Sequence, residues 1–232
     1  MEDTFDKSDP NKMHKLQFLK FLLDSGMSKD DCFDSSKPLF TIFKFMKHNY
    51  SLLKEFGGGG NPGGSNPAFE PQNENYKKSC HYITKQEFQT AMVAEGCDTV
   101  AKFSAKVSQF DPDFLETSNP EFKNFYNWMF DFNRDLTPQR RPTKWIQKAD
   151  AMNYLLMALP STRGIHTTSF NEFVEQYVPS SGEVFTQITK DQWQSFYPFS
   201  CQISADFANY SADLGAWPIL LDDFVRWKKT RK

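Results

Sequence analysis

The sequence predicts an all-α fold, a bundle of amphipathic helices, and three observations predict it. Apolar residues recur at i, i+3, i+4 and i+7 along most of the chain, while strand-like alternation is scarce. Helix-start signatures precede several of these runs. Phenylalanine alone accounts for 24 of the 232 residues, within an aromatic content of 16%, and a chain that carries so many large apolar groups folds around a substantial core.

Taken in order, Leu16, Leu19, Leu22 and Leu23 share one face of a first helix, and Leu39, Phe40, Phe43 and Met46 mark a second that ends at a glycine run. From Gly57 to Pro67 the chain reads GGGGNPGGSNP, and polar residues continue to about Lys78. Gly and Pro at that density resist regular structure, so this stretch is a flexible linker. It separates an N-terminal helical part, residues 1–56, from a C-terminal body, residues 79–232, with the Gly/Pro-rich insertion at 57–78. No internal repeat is visible.

In the body, Thr84-Lys85-Gln86-Glu87 is a capping box, in which the Thr hydroxyl accepts from a free backbone amide and the Glu reaches back. The helix it starts carries Phe88, Met92 and Val93 inward and stops at Gly96; Thr99 caps the next, with Val100, Phe103 and Val107 inward. Asn119-Pro120 opens a helix whose Phe122, Phe125, Tyr126, Met129 and Phe130 form one apolar stripe. Thr143 begins a helix bearing Trp145, Ala149, Met152, Leu155 and Leu156, and Thr168 or Ser169 begins a shorter one with Phe170, Phe173 and Val174. Thr189-Lys190-Asp191-Gln192 is a second capping box, leading into Trp193, Phe196, Phe199, Ile203 and Phe207, and Pro218 opens a last helix reaching about Trp227.

Composition narrows the function. A net charge of -2 and a pI of about 6.1 give no global basic field, which argues against nucleic-acid binding. Cys32, Cys80, Cys97 and Cys201 form no CxxC pair and suggest no zinc site. The acidic start MEDTFD is no secretory signal, Glu2 excludes N-myristoylation, and no run is apolar enough to span a bilayer. These features predict a reduced, intracellular protein without membrane attachment or cofactor. The basic clusters Arg140-Arg141 and Lys228 to Lys232 read as a solvated loop and tail, the tail having a weak nuclear-import signal as its functional alternative; nucleus and cytoplasm are the expected locations.

Catalytic and metal motifs are absent where the chain comes nearest to them. The acidic stretch that starts at Asp24 has Lys29 and Ser35 where a calcium loop needs Gly and Glu, and Asn73-Glu74-Asn75 lacks the glycine. A calcium-responsive adaptor of the EF-hand type is thus a rival reading that this pattern disfavours. Cys80 and His81 are adjacent, and neighbours in sequence point apart, so they read as a buried thiol beside a histidine rather than as nucleophile and base. Asp191 and the pair Asp222-Asp223 sit in first helical turns, where the dipole alone would favour a carboxylate; a binding role is the alternative.

Four segments together resemble a known family. Cys80 to Asp98 reads CHYITKQEFQTAMVAEGCD, Phe125 to Phe132 reads FYNWMFDF, Lys190 to Trp193 reads KDQW, and Asn209 to Trp227 reads NYSADLGAWPILLDDFVRW. They resemble, in one order across roughly residues 79 to 228, the potentiating-neddylation (PONY) domain of the defective-in-cullin-neddylation family, and the GAWPxLxDDFV motif is the most specific piece. The resemblance implies EF-hand-like N-terminal helices without calcium sites packed on a larger helical domain. It also implies a non-catalytic co-ligase, which binds a cullin's C-terminal winged-helix region together with the neddylation conjugating enzyme, alongside a RING subunit, and acts through proximity and orientation.

The residues that the resemblance assigns fall into two sets. A cullin-binding patch corresponds to Asp191, Ala216 and Asp222. A pocket for the conjugating enzyme's acetylated N-terminal methionine corresponds to Cys80, Tyr82, Phe132, Met152 and Leu155, with Leu16, Leu39, Thr41, Ile42 and Phe45 from the N-terminal half. Met152 stands where the family commonly has an aromatic and Thr41 where it has an aliphatic. A diverged helical adaptor of the same fold with another partner is the remaining alternative.

Overall fold

The computed structural model describes residues 10–33, 35–45, 82–110, 119–134, 142–160, 163–179, 181–182, 184–211 and 217–231. They are mostly helical, with four strands of three residues each, so the fold class is all-α as predicted. The chain divides into two compact units, Met1–Leu115 and Glu116–Lys232. No helix among the described residues is long and apolar enough to cross a membrane.

In the first unit, strand β1 (Lys12–His14) runs directly into helix α1 (Lys15–Asp24), followed by α2 (Lys29–Phe33) and α3 (37–45). Strand β2 (Tyr82–Thr84) runs directly into α4 (Lys85–Ala94), and α5 (Val100–Val107) follows. The strands pair antiparallel, with Met13 opposite Ile83 and both buried. The last residue of each strand is the N-cap of the next helix, so the ladder sets two helix starts side by side. Thr84 forms the predicted capping box: its amide donates to Glu87 at 2.8 Å, and its hydroxyl accepts from the Glu87 amide at 3.1 Å. Gly96 ends α4 with a φ of +69°, a left-handed turn that an L side chain rarely adopts.

The core of this unit is a cluster of phenylalanine rings. Phe21 and Phe45 lie 4.8 Å and 5.3 Å from Phe103, and Phe21 lies 5.5 Å from Phe88. Each buried ring contributes on the order of 1.5–3 kcal/mol of hydrophobic stabilisation. The rings also decide which faces turn inward, and they correct the leucine-based reading. The buried positions of α1 are Phe18, Phe21 and Leu22. Leu16 is 78% exposed, because it lies roughly 200° around the helix from Phe18. Val93 and Val100, expected inward, are likewise exposed; Phe88 with Ala91, and Phe103 with Val107, take the inner faces of α4 and α5.

The second unit contains α6 (Pro120–Asn133), β3 (Trp145–Gln147), α7 (Lys148–Ala158), α8 (Thr167–Gln176), β4 (Gln187–Thr189), α9 (Lys190–Gln202) and α10 (Ile219–Lys229). The arrangement of the first unit returns here: β3 and β4 pair antiparallel with Ile146 opposite Ile188, and each runs straight into a helix. Even the flanking hydrogen bond is repeated, Lys148 N donating to Thr186 O at 2.7 Å as Lys85 N does to Asn11 O at 2.7 Å. A chain without sequence repeats thus builds one device twice. The helix expected from Thr143 starts instead at Lys148, since Trp145 and Ile146 are held in this ladder. Phe207, expected on α9, lies beyond its end at Gln202.

Packing in this unit is again aromatic. The predicted stripe Phe122, Phe125, Tyr126, Met129 and Phe130 on α6 is fully buried. Tyr126 and Trp193 stack at 4.8 Å and exchange two hydrogen bonds, Tyr126 Oη donating to Trp193 O at 2.8 Å and Trp193 Nε1 to Tyr126 O at 3.0 Å. This reciprocal pair locks α9 onto α6. Phe224 joins α10 to the rest through Phe170 at 5.3 Å and Phe173 at 5.6 Å.

Candidate functional site

Two of the three predicted cullin-patch residues lie in the second unit at helix starts; Ala216 lies outside the described residues. Asp191 sits in the first turn of α9, directly after the β4 ladder. Its backbone is fixed by the capping box, in which the Thr189 amide donates to Gln192 Oε1 at 2.9 Å. The carboxylate is exposed and has no hydrogen bond or ion pair among the described residues. The neighbouring cation does not neutralise it, because Lys190 Nζ is held by Asp131 at 3.0 Å. Asp191 is therefore an uncompensated negative charge on a rigid scaffold.

Asp222 and Asp223 share the start of α10 but differ in occupancy. Asp223 is spent on the fold: its Oδ2 accepts from Tyr177 Oη at 2.7 Å, its Oδ1 from Arg226 at 2.8 Å, and its side chain is only 14% exposed. The Tyr177 phenol is pushed up to about 12, first by burial and then by this hydrogen bond. Asp222 is half-buried and accepts from Tyr210 Oη on Oδ1, leaving Oδ2 without a partner among the described residues. Of the two acids, then, Asp222 has hydrogen-bonding capacity left for a partner. Beside it Ile219 is 74% exposed, three residues earlier and so on the same side of the helix. Trp217 is half-buried and packs edge-on against Phe199 at 5.5 Å. An acid, an exposed aliphatic and an anchored aromatic thus lie together at this helix start, the composition of a protein-contact surface.

The residues predicted for the acetyl-methionine pocket are placed as follows. In the first unit, Leu39, Thr41, Ile42 and Phe45 are buried on α3, with Thr41 Oγ1 donating to Lys37 O at 2.9 Å. Tyr82 is half-buried, its ring 5.9 Å from His14, while Leu16 stands on the exposed side of α1, away from that helix's buried face. In the second unit, Phe132 stacks on Trp128 at 4.5 Å, and Met152 and Leu155 are buried on α7. Cys80 lies outside the described residues. The first unit also has a cavity of about 190 Å³ beneath the α1–α2 turn, lined by Leu22, Ser25, Phe103, Ser104 and Val107 among others; none of the predicted pocket residues lines it.

Sequence reasoning missed three features of the site: Tyr210 and Tyr177, which hold the two acids, and Asp131, which takes up the charge of Lys190. None lies within a helical turn of the group it contacts, so periodicity carries no signal for them.

The family model for cullin binding matches residues 102–227, which includes α9, α10 as far as Trp227, and both Asp191 and Asp222. The chain is 32% identical to human DCN1-like protein 5 over 155 residues, 67% of this chain and 59% of that protein. It is 33% identical to DCN1-like protein 4 of Drosophila melanogaster over 154 residues, 65% of this chain and 55% of that protein. The matched region thus spans less than two thirds of the length of these relatives. With a family model covering more than half of its residues, this chain belongs to the cullin-binding family of DCN1-like proteins.

Proposed function

We propose that this protein is a non-catalytic scaffold that promotes cullin neddylation. It binds the winged-helix region of a cullin through Asp191, Ala216 and Asp222, and the acetylated N-terminus of the neddylation conjugating enzyme through an apolar pocket, with a RING subunit in the same assembly. The observation that carries the cullin half is the division of labour among the acids. Asp223 is consumed by Tyr177 and Arg226, whereas Asp191 and one oxygen of Asp222 have no partner among the described residues. Two such carboxylates suit lysine or arginine on a basic partner. Exposed ion pairs are worth roughly 0–1 kcal/mol each, so Ile219 and the Trp217 region supply much of the affinity.

The pocket half rests on the buried, apolar surroundings of Leu39, Ile42 and Phe45 on α3. Acetylation suits such surroundings because it removes an ammonium that would be costly to bury. The gain in neddylation comes from holding the charged conjugating enzyme near the cullin lysine, with no covalent intermediate on this chain.

Calorimetry with a purified cullin C-terminal domain tests the first site. Asp191→Ala combined with Asp222→Lys is expected to weaken binding at least tenfold, and unchanged affinity would refute the patch. A conjugating-enzyme N-terminal peptide tests the second: the acetylated form is expected to bind and the free-amine form not, and equal binding would remove the pocket from the proposal.

A further inference from the structure

We propose that Tyr210 is a positioning residue for partner binding: its phenol holds the Asp222 carboxylate in the orientation the partner meets, and the loop of residues 203–211 exists to keep that phenol in place. The inference rests on the cullin-binding reading of Asp222 given above.

The geometry begins with the contact itself. Tyr210 Oη donates to Asp222 Oδ1, leaving Oδ2 free among the described residues. A lone aspartate at a helix start samples several rotamers and loses that freedom on binding. One held by a neutral donor has lost it beforehand, which lowers the cost of association. The donor is kept neutral, since burial first and the hydrogen bond to Asp222 second push the Tyr210 phenol up.

The loop that carries Tyr210 is fixed at both its apolar and its polar side. Phe207 has a φ of +60°, the left-handed region that a residue with a bulky side chain rarely occupies. It is held there as a buried plug, stacked on His166 at 4.7 Å and edge-on to Phe224 at 5.7 Å. The polar side is latched as well. Asn209 Oδ1 accepts from Ser204 N at 2.8 Å, and Asn209 Nδ2 donates to Gln202 O at 2.7 Å, which ties the loop back to the end of α9. Asp206 Oδ1 accepts from Ala208 N at 3.0 Å. Beyond this latch, Tyr210 N donates to Phe207 O at 3.2 Å, and its ring lies edge-on to Phe199 at 6.1 Å. Phe199 also carries Trp217 at 5.5 Å, so one ring on α9 sets both the phenol that aims Asp222 and the aromatic before it. Strain at Phe207, the Asn209 latch and the Phe199 contact all converge on the position of one hydroxyl.

The test is a double-mutant cycle on the full chain, with Tyr210→Phe, Asp222→Ala and the pair, and with calorimetric affinity for a purified cullin C-terminal domain as the readout. Alanine is used because asparagine would still accept the phenol's hydrogen bond. Tyr210→Phe is expected to weaken binding roughly three- to tenfold. In the Asp222→Ala background, the same change is expected to cost nothing. Wild-type affinity for Tyr210→Phe while Asp222→Ala weakens binding overturns the inference. An equal loss in both backgrounds overturns it too, because it marks a merely structural tyrosine. Unchanged affinity of Asp222→Ala overturns the cullin-binding reading itself, and the cycle thereby separates the two failures. Asn209→Ala keeps the phenol and cuts the latch; if Tyr210→Phe lowers Tm, this variant replaces it in the same cycle with the same expectations.

Discussion

Gly164→Ala tests whether space, rather than backbone freedom, selects a glycine between α7 and α8. A Cβ at this position would lie 2.3 Å from Thr167 Oγ1, 2.8 Å from Ser200 Oγ and 3.1 Å from Leu159 Cβ. Thr167 and Ser200 are 0% and 1% exposed, and Leu159 is fully buried, so none of the three can swing into solvent. The Thr167 oxygen must move by about 1 Å, and Thr167 is β-branched and stiff at χ1. Forcing an extra methyl into a packed site costs on the order of 1–3 kcal/mol. Against this, alanine restricts the unfolded chain and returns roughly 0.4–1 kcal/mol. The net loss is about 1–2 kcal/mol, which for a unit of this size lowers Tm by roughly 4–10 °C. Urea unfolding followed by tryptophan fluorescence should show a lower midpoint at an unchanged m-value. In a Thr167→Ala background, which removes the closest atom, the same substitution should cost clearly less. A Tm within about 1 °C of wild type, or an equal loss in both backgrounds, would refute the steric reasoning.

Two further outcomes are expected. His166 is buried among Phe199, Phe207 and Phe224 with Nε2 2.9 Å from Ile203 O, and desolvation lowers its pKa below the ordinary value. The unfolded chain therefore takes up this proton first. The stability His166 contributes is present above about pH 6.5 and is lost as pH falls through the folded value, so wild type should lose stability more steeply than His166→Gln as pH falls below about 6.5. On α1, Leu16→Ala should change stability by less than about 0.5 kcal/mol, whereas Phe18→Ala should cost roughly 3–5 kcal/mol; the reverse order in thermal unfolding would restore the leucine face.

The parts of this fold legible in the sequence are those governed by neighbours within one helical turn. The capping boxes at Thr84 and Thr189, the Asn119-Pro120 start and the α6 stripe all follow rules between residues no more than four apart, and all are found as read. Leu16, Val93 and Val100 were misread because hydrophobicity alone does not rank an aliphatic against a phenylalanine that competes for the same core. The two strand ladders were invisible because three residues are too few to alternate, and their stabilisation comes from a distant partner: Met13 opposite Ile83, Ile146 opposite Ile188. At the site, Asp191 and Asp222 came from resemblance, since each also had a sufficient structural reason to be present. What separates them from Asp223 is a set of contacts 12 to 59 residues apart in sequence, from Tyr210 to Asp222, Tyr177 to Asp223 and Asp131 to Lys190.

That structural reason also explains how such a surface stays available. A helix N-terminus offers a stabilising partial positive charge, worth roughly 0.3–1 kcal/mol for a nearby carboxylate. Asp191 and Asp222 both sit in first turns, so the fold tolerates each as an anion without a cation beside it. The nearby cations are engaged elsewhere, Lys190 by Asp131 and Arg226 by Asp223. Had either one turned to the free acid, the charge would be quenched within the chain and a basic partner would have to displace it. Lys190→Ala should therefore leave cullin affinity unchanged or slightly raise it. Asp131→Ala, which releases Lys190 beside Asp191, should weaken it, and the loss should disappear when both are replaced. A loss for Asp131→Ala that persists in the double variant would show that Asp131 acts by some route other than restraining its cation.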